Sequence, residues 1–324
     1  MMRRLALLLL VLCLIAPVAQ AHDLRSGYFE VTETGEGSYD ALWKTPSIAG
    51  RQLDVLPVLP DDCAVSRLSA QPTSAGGQIE SWRISCDTAL TGRTINFDRL
   101  ETFEADVLVR LIAASGDEQT LRVTHRDPVL EIPAEAHGGS AFWAYFVIGV
   151  EHILIGLDHL LFLLCLIFLI RNVWRLVSAI TAFTIAHSLT LGGTVLGLVH
   201  LPIKPVEAVI ALSIVFLAAE VLAKRTERER LSERMPWLVA FVFGLLHGFG
   251  FASVLQEIGL PQNALVMSLL AFNLGVEAGQ LVFVGTVLLV IYAFRRLRLE
   301  TQLRTVSVYS AGIIATKWFI ERML

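Results

Sequence analysis

Apolar residues divide the chain into two parts with different patterns. After about residue 140, six long apolar segments predict membrane-spanning helices, because about 20 apolar residues are needed to cross the hydrocarbon core of a bilayer. The segments cover residues 142–170, 176–198, 206–223, 237–255, 264–294 and 306–320. The last segment is short for a complete crossing. The predicted fold class of this part is an all-α bundle of six transmembrane helices.

Before residue 136 the pattern changes to short apolar or alternating runs separated by turn residues, which is typical of β-strands. The runs cover residues 28–34, 53–59, 82–85, 105–112 and 120–123. Turns are expected at 75–77 and 91–92, and Trp82 is expected in the core. This part is predicted to be a small all-β sandwich of immunoglobulin-like type.

The first residues have the pattern of a secretory signal peptide. Arg3 and Arg4 precede the apolar run 5–15, and Ala19-Gln20-Ala21 supplies a cleavage site. An uncleaved membrane anchor is the alternative interpretation. The predicted organisation is a signal peptide at 1–21, an exported β-sandwich domain at 22–135, a linker at 136–141 and a transmembrane domain at 142–324.

Charge predicts the orientation of this chain in a membrane. Loops that the six-span arrangement places in the cytoplasm hold eleven Lys and Arg residues, whereas the outer loops and the C-terminal tail hold three. We therefore expect a multi-pass protein of the bacterial inner membrane with its N-terminal domain in the periplasm. The net charge of −4 and the lack of a basic patch predict no nucleic-acid partner.

Two of the four cysteines lie in the predicted exported domain. In an oxidising compartment, Cys63 and Cys86 are expected to form a disulfide, and two separately buried thiols are the alternative. Cys13 belongs to the signal peptide and Cys165 to the first apolar segment.

Ionisable residues inside the first apolar segment indicate a functional site, because they are costly in a bilayer. His152 and His159 are seven residues apart, as are Glu151 and Asp158. In one continuous helix, seven residues make almost two turns, so each pair would share one stripe of the helix.

Three further segments carry polar residues at a similar predicted depth. His187 lies with Thr184 and Ser188 in the second segment, and His247 lies in the fourth. Asn273, Glu277 and Gln280 follow i, i+4, i+7 spacing in the fifth and so form one polar stripe. The predicted metal ligands are His152, Asp158, His159, His187, His247 and Glu277. The predicted pathway or supporting residues are Glu151, Thr184, Ser188, Asn273 and Gln280.

The carboxylates require compensation inside the membrane. Asp158 and Glu277 together would cost about 6 kcal/mol if they were ionised and alone. No Lys or Arg lies in the middle of a segment, so protonation or a bound divalent metal remains. Imidazole and carboxylate donors suit nickel, cobalt, zinc or iron, whereas copper(I) would require thiolates or thioethers. Interhelical hydrogen bonding is the alternative role for each histidine taken singly.

The motif His152-x5-Asp158-His159, with the later His187 and His247 segments and the stripe from Asn273 to Gln280, resembles the HupE/UreJ family of membrane proteins. The resemblance covers roughly residues 142–291. It implies uptake of nickel or cobalt, with the motif residues and the two later histidines as metal ligands. Two departures are that His152 is followed by Ile153 where the family motif has proline, and that compact members lack an exported domain.

The leading hypothesis is a secondary transporter for a divalent transition metal, nickel or cobalt first and zinc or iron next. Its partners would be the lipid bilayer, the metal ion and a periplasmic metal carrier or metalloenzyme-maturation protein. One alternative is an intramembrane metal-dependent hydrolase that uses the same histidines and carboxylates. Another is a tethered periplasmic metal-capture module, in which His22 would provide an amine and an imidazole at the mature N-terminus.

Overall fold

The computed structural model describes residues 26–48, 51–72, 78–103, 105–133, 140–199, 201–223, 230–258 and 265–324. The predicted signal peptide, His22, the expected turn at 75–77 and most of the predicted linker lie outside these ranges. The chain divides into a region of strands and a region of helices.

The strand region contains two larger sheets and a short two-stranded one. Its strands are β1 Ser26–Gly35, β2 Ser38–Lys44, β3 Ser47–Ile48, β4 Arg51–Gln52, β5 Leu56–Val58, β6 Cys63–Pro72, β7 Gln78–Cys86, β8 Thr94–Asp98, β9 Asp106–Ile112, β10 Glu118–Val123 and β11 Val129–Glu131. The six-stranded sheet has the order β10-β9-β1-β2-β7-β6, and the three-stranded sheet has the order β11-β8-β5. Pairing is antiparallel except between β1 and β9. A short helix, α1, spans Leu100–Phe103.

Aromatic side chains join the two larger sheets. Phe29 of β1 lies 6.0 Å from Phe97 of β8, measured between ring centroids, and 5.9 Å from Trp43 of β2. Trp82 is buried in the same core, as predicted. The predicted disulfide between Cys63 and Cys86 is confirmed, and it links opposite residues of β6 and β7.

The helical region contains eight further helices within the described residues. They are α2 Ser140–Ile155, α3 Leu157–Leu169, α4 Val173–Val195, α5 Ile203–Leu222, α6 Leu231–Arg234, α7 Pro236–Ile258, α8 Leu265–Arg296 and α9 Glu300–Met323. Of these, α4, α5 and α8 are long and apolar enough to cross a membrane, and α2 with α3 counts as a fourth if the pair is one span. Helix α7 holds a shorter apolar part, Pro236–Gly250.

The prediction of one continuous helix over 142–170 is wrong. The chain leaves the helical conformation at Gly156, where ψ is 93°, and the axes of α2 and α3 differ by 69°. The continuous apolar pattern gave no sign of the break, because a single glycine is tolerated inside a helix.

Glycines let α4 and α7 approach closely, as their four-residue spacing predicts. A Cβ atom at Gly244 would lie 2.5 Å from the carbonyl oxygen of Phe183, and one at Gly248 would lie 2.5 Å from that of His187. Only the absence of a side chain allows these backbone contacts. The contact at Gly248 fixes the position of His187 relative to α7.

Helices α2 and α8 cross in the same way. A Cβ atom at Gly275 would lie 2.0 Å from the carbonyl oxygen of Phe146, and one at Gly149 would lie 2.1 Å from that of Phe272. Gly279 continues the contact one turn further along α8, with 3.1 Å to the Val150 carbonyl oxygen. The crossing places His152 of α2 beside Phe272 of α8, with 5.6 Å between the ring centroids.

We expect Gly275→Ala to destabilise the helical region by roughly 1–3 kcal/mol, because the added methyl group overlaps the backbone of α2. Gly285→Ala is the matched control in the same helix, since nothing lies within 4 Å of its Cβ position. The thermal unfolding midpoint of the purified protein in detergent measures the effect. Equal midpoints for the two variants would contradict the close crossing.

Candidate metal centre

The break at Gly156 brings His152 and His159 together. In a continuous helix the seven-residue spacing would separate these side chains by about 10 Å along the axis. In the structure the two ring centroids are 4.6 Å apart, and both side chains are buried. A Cβ atom at Gly156 would lie 2.6 Å from the His152 carbonyl oxygen and 3.0 Å from His159 Nδ1. Glycine is therefore required where the two histidines meet.

Helices α4 and α7 add two further histidines to this centre. The His187 ring lies 5.9 Å from the His152 ring and 6.1 Å from the His159 ring. The His247 ring lies 4.9 Å from the His159 ring. His187 and His247 are 0% and 1% exposed, so neither faces lipid.

The start of α4 is fixed by Asn172, whose side-chain oxygen accepts hydrogen bonds from the backbone N–H groups of Trp174 and Arg175.

The five side chains form two overlapping groups. Potential ligand atoms of His152, His159 and His187 lie within 4.8 Å of one another, and so do those of Asp158, His159 and His247. His159 belongs to both groups. Three imidazoles, or two imidazoles and a carboxylate, are typical donor sets for zinc, nickel and related divalent metals.

Asp158 orients His159. Its Oδ1 atom accepts a hydrogen bond from the His159 backbone N–H at 2.9 Å and lies 3.0 Å from His159 Nδ1. A proton on Nδ1 donated to this carboxylate leaves the lone pair of Nε2 for another partner, as is common for metal-binding histidines. The position of Asp158 in the first turn of α3 also places its charge near the positive end of the helix dipole.

Some ring nitrogens of the centre are buried without hydrogen-bond partners in the described part of the chain. They are Nε2 of His159 and Nδ1 of His247. Leaving a buried polar atom unsatisfied costs about 1–3 kcal/mol. Coordination to a metal ion would remove this cost, so the residues present fit a divalent cation.

Aromatic rings enclose the centre. Phe162 and Phe183 lie 5.3 Å and 5.1 Å from His247, and Phe272 lies 5.6 Å from His152. All three phenylalanines are at most 2% exposed. Buried apolar rings lower the local polarity, which strengthens electrostatic interactions inside the centre.

The polar stripe of α8 lies outside the two groups. Glu277 accepts a hydrogen bond from the Thr181 hydroxyl at 2.7 Å, and Gln280 lies 2.9 Å from the Thr184 hydroxyl. Asn273 donates to the carbonyl oxygen of Leu269 in its own helix at 2.7 Å. Ser188 donates to the Thr184 carbonyl oxygen at 2.6 Å, and Glu151 is half-buried.

Sequence reasoning missed two side chains that contact predicted site residues. Thr181 binds Glu277, and its position three residues before Thr184 on the same face of α4 could have revealed it. Ser213 of α5 has its hydroxyl 3.4 Å from His247 Nε2, and its signal is an isolated serine in an apolar helix. Two other acids of α5 lie near its ends, where Glu207 pairs with Arg322 and Glu220 with Arg230.

Comparison with known families identifies the helical region. The family described as HupE / UreJ protein matches residues 130–322, which is more than half of the chain. The chain belongs to the HupE/UreJ family of membrane proteins. The match includes helices α2 to α8 and all but the last residue of α9, and therefore every residue of the histidine centre. The chain shows no match to a curated protein or to a solved structure.

We expect Gly156→Ala to weaken metal binding roughly 10- to 100-fold, because the methyl group displaces His159 and its orienting carboxylate. Gly193→Ala in α4 is the control, since nothing lies within 4 Å of its Cβ position. Titration of the purified, metal-free proteins with nickel and cobalt measures the affinities. Unchanged affinity in a folded Gly156→Ala protein would show that the break does not shape the binding site.

Proposed function

We propose that this member of the HupE/UreJ family transports a divalent transition-metal ion, nickel or cobalt, through the buried histidine and aspartate centre. The observation that carries the proposal is the convergence of His152, Asp158, His159, His187 and His247 from helices α2, α3, α4 and α7. The family's general association with nickel and cobalt transport supports the same ions. Neither group includes a sulfur ligand, which favours these metals over copper(I).

The broken first span supports transport. Discontinuous helices are typical of the binding sites of secondary transporters, where they place side chains and backbone groups near the middle of the bilayer. The break between α2 and α3 lies at the centre itself. An irregular backbone at membrane depth is tolerated where protein surrounds it or where it lines a cavity, and Gly156 is half-buried between the buried His152 and His159.

The two overlapping groups suggest how an ion moves. An ion held by His152, His159 and His187 needs only to exchange two ligands to reach the group of Asp158, His159 and His247. His159 remains bound throughout, so the ion is never without a ligand in the apolar interior. Ligation requires neutral imidazoles, and metal binding therefore displaces any protons that they carry.

The membrane arrangement that accompanies this function has six spans. The α2 and α3 pair, α4, α5, α7, α8 and α9 would each cross, and the 24 residues of α9 are long enough at about 1.5 Å per residue. The excess of basic residues in alternate loops supports an N-terminal domain in the periplasm of a bacterial inner membrane. A disulfide in that domain suits an oxidising compartment. We propose that the N-terminal domain is an immunoglobulin-like sandwich and that it receives the metal ion from a periplasmic carrier.

Variants of the histidines test the proposal in cells that lack other nickel and cobalt uptake systems. We expect His159→Ala to reduce uptake at least about tenfold, because it removes a ligand from both groups. His187→Ala and His247→Ala each leave one group intact, so metal binding should persist while transport falls. His125→Ala, in the strand region, is the control and should transport normally.

Cellular metal content by mass spectrometry and flux into proteoliposomes provide the measurements. Unchanged nickel, cobalt and zinc flux in a His152→Ala, Asp158→Ala double variant would reject the proposal.

A further inference from the structure

A second polar cluster lies between α4 and α8. Its members are Thr181 and Thr184 of α4 and Glu277 and Gln280 of α8, which we call the α4–α8 oxygen cluster. The Thr181 hydroxyl lies 2.7 Å from Glu277 Oε1, and the Thr184 hydroxyl lies 2.9 Å from Gln280 Oε1. The two pairs are three residues apart on each helix, which is about 4.5 Å of rise. No histidine belongs to this cluster.

The charge of Glu277 has no counterpart among the described residues. Its hydrogen-bond partner is the neutral hydroxyl of Thr181, and no basic side chain pairs with it there. The carboxylate is half-buried in an apolar helix. An isolated carboxylate in the middle of a membrane span costs roughly 2.5–3.5 kcal/mol, so a bound cation would stabilise it.

The hydrogen-bond donors and acceptors around Gln280 indicate that its side-chain carbonyl oxygen is a further ligand. Thr184 has one hydroxyl hydrogen but lies within reach of two acceptors, Gln280 Oε1 and the Ile180 carbonyl oxygen at 3.2 Å. Gln280 is 1% exposed, and its Nε2 atom has no hydrogen-bond partner in the described structure. If the amide is turned by 180°, its N–H group donates to Thr184 while Thr184 donates to Ile180. The carbonyl oxygen of Gln280 then occupies the unpartnered position.

The donor set selects a different ion from the one that suits the histidine centre. A carboxylate, two hydroxyls and an amide carbonyl are hard oxygen ligands, which are typical of cations that do not favour nitrogen. The cluster has one negative charge, and a monovalent ion would neutralise it without leaving excess charge in the apolar interior. A proton on the carboxylate is the alternative occupant, and it would need none of the other oxygens as ligands.

We propose that the α4–α8 oxygen cluster binds a sodium ion. If the proposed metal transport holds, sodium entry at this cluster drives it. Glu277 is then a sodium ligand and not a ligand of the transition metal. The nitrogen-rich centre and this cluster share no residue, so both ions can be bound at once.

Sodium binding to the purified full-length protein tests the site directly. We expect saturable binding of radioactive sodium in choline buffer, with affinity at least about tenfold lower in both Glu277→Gln, which removes the negative charge, and Thr181→Val, which removes an oxygen ligand. Thr286→Val is the matched control, since its hydroxyl lies on the exposed side of α8 and bonds only within that helix. Absence of sodium binding in the wild type, or equal binding in all three variants, would overturn the proposal.

Coupling is tested in proteoliposomes by nickel and cobalt uptake under an inward sodium gradient at equal pH. Uptake that rises with the sodium gradient, and no longer does so in Glu277→Gln, supports the proposal. Uptake driven by a pH gradient and indifferent to sodium would overturn it. Nickel binding to the same variants checks folding, because the histidine centre is intact in them. If the wild type binds sodium through Glu277 but moves no metal, the sodium site stands and the transport function fails.

Discussion

The position of the histidine and aspartate centre depends on Gly156, the residue between helices α2 and α3, because it has no side chain. At Gly156 the backbone turns by 69° while hydrogen bonds continue on both sides, from Gly156 N–H to His152 and from Leu160 N–H to Gly156. Any Cβ atom there would overlap the backbone of His152. On a continuous helix, His152 and His159 would lie about two turns apart. The break at Gly156 instead places their rings in contact.

A bent helix alone would supply only two imidazoles and a carboxylate. The other ligands arrive because glycines in α7 and α8 permit backbone contact with α4 and α2. Bulkier residues at these crossings would separate the helices, and His187 and His247 would no longer reach His159. In a membrane, where lipid tails are as apolar as the side chains, such close packing is a main source of helix association. The geometry of the centre is therefore set by residues that cannot bind a metal.

The sequence allowed the helices and most of the centre to be predicted because their signals are local. Long apolar runs mark the helices, and isolated histidines within them mark the costly positions. The break at Gly156 could not be predicted, since the apolar pattern runs through it and only tertiary contacts distinguish a kinking glycine from a tolerated one. In the strand region, β6 was missed because it is almost entirely exposed and so lacks an alternating pattern. Strand β2 does alternate, with Tyr39, Ala41 and Trp43 buried, but its polar residues Ser38, Asp40 and Lys44 leave only a short apolar run.

The role of Glu277 shows a further limit of pattern analysis. Spacing placed Asn273, Glu277 and Gln280 on one stripe and at the depth of the histidines, which suggested one site. The structure instead pairs Glu277 and Gln280 with hydroxyls of α4, whereas the nitrogen donors gather around the break in the first span. Depth and facing direction are fixed by periodicity, but the neighbour that a side chain meets is fixed by helix crossings. Because nitrogen and oxygen donors prefer different cations, this segregation gives one helical region two chemically distinct environments for positive charge.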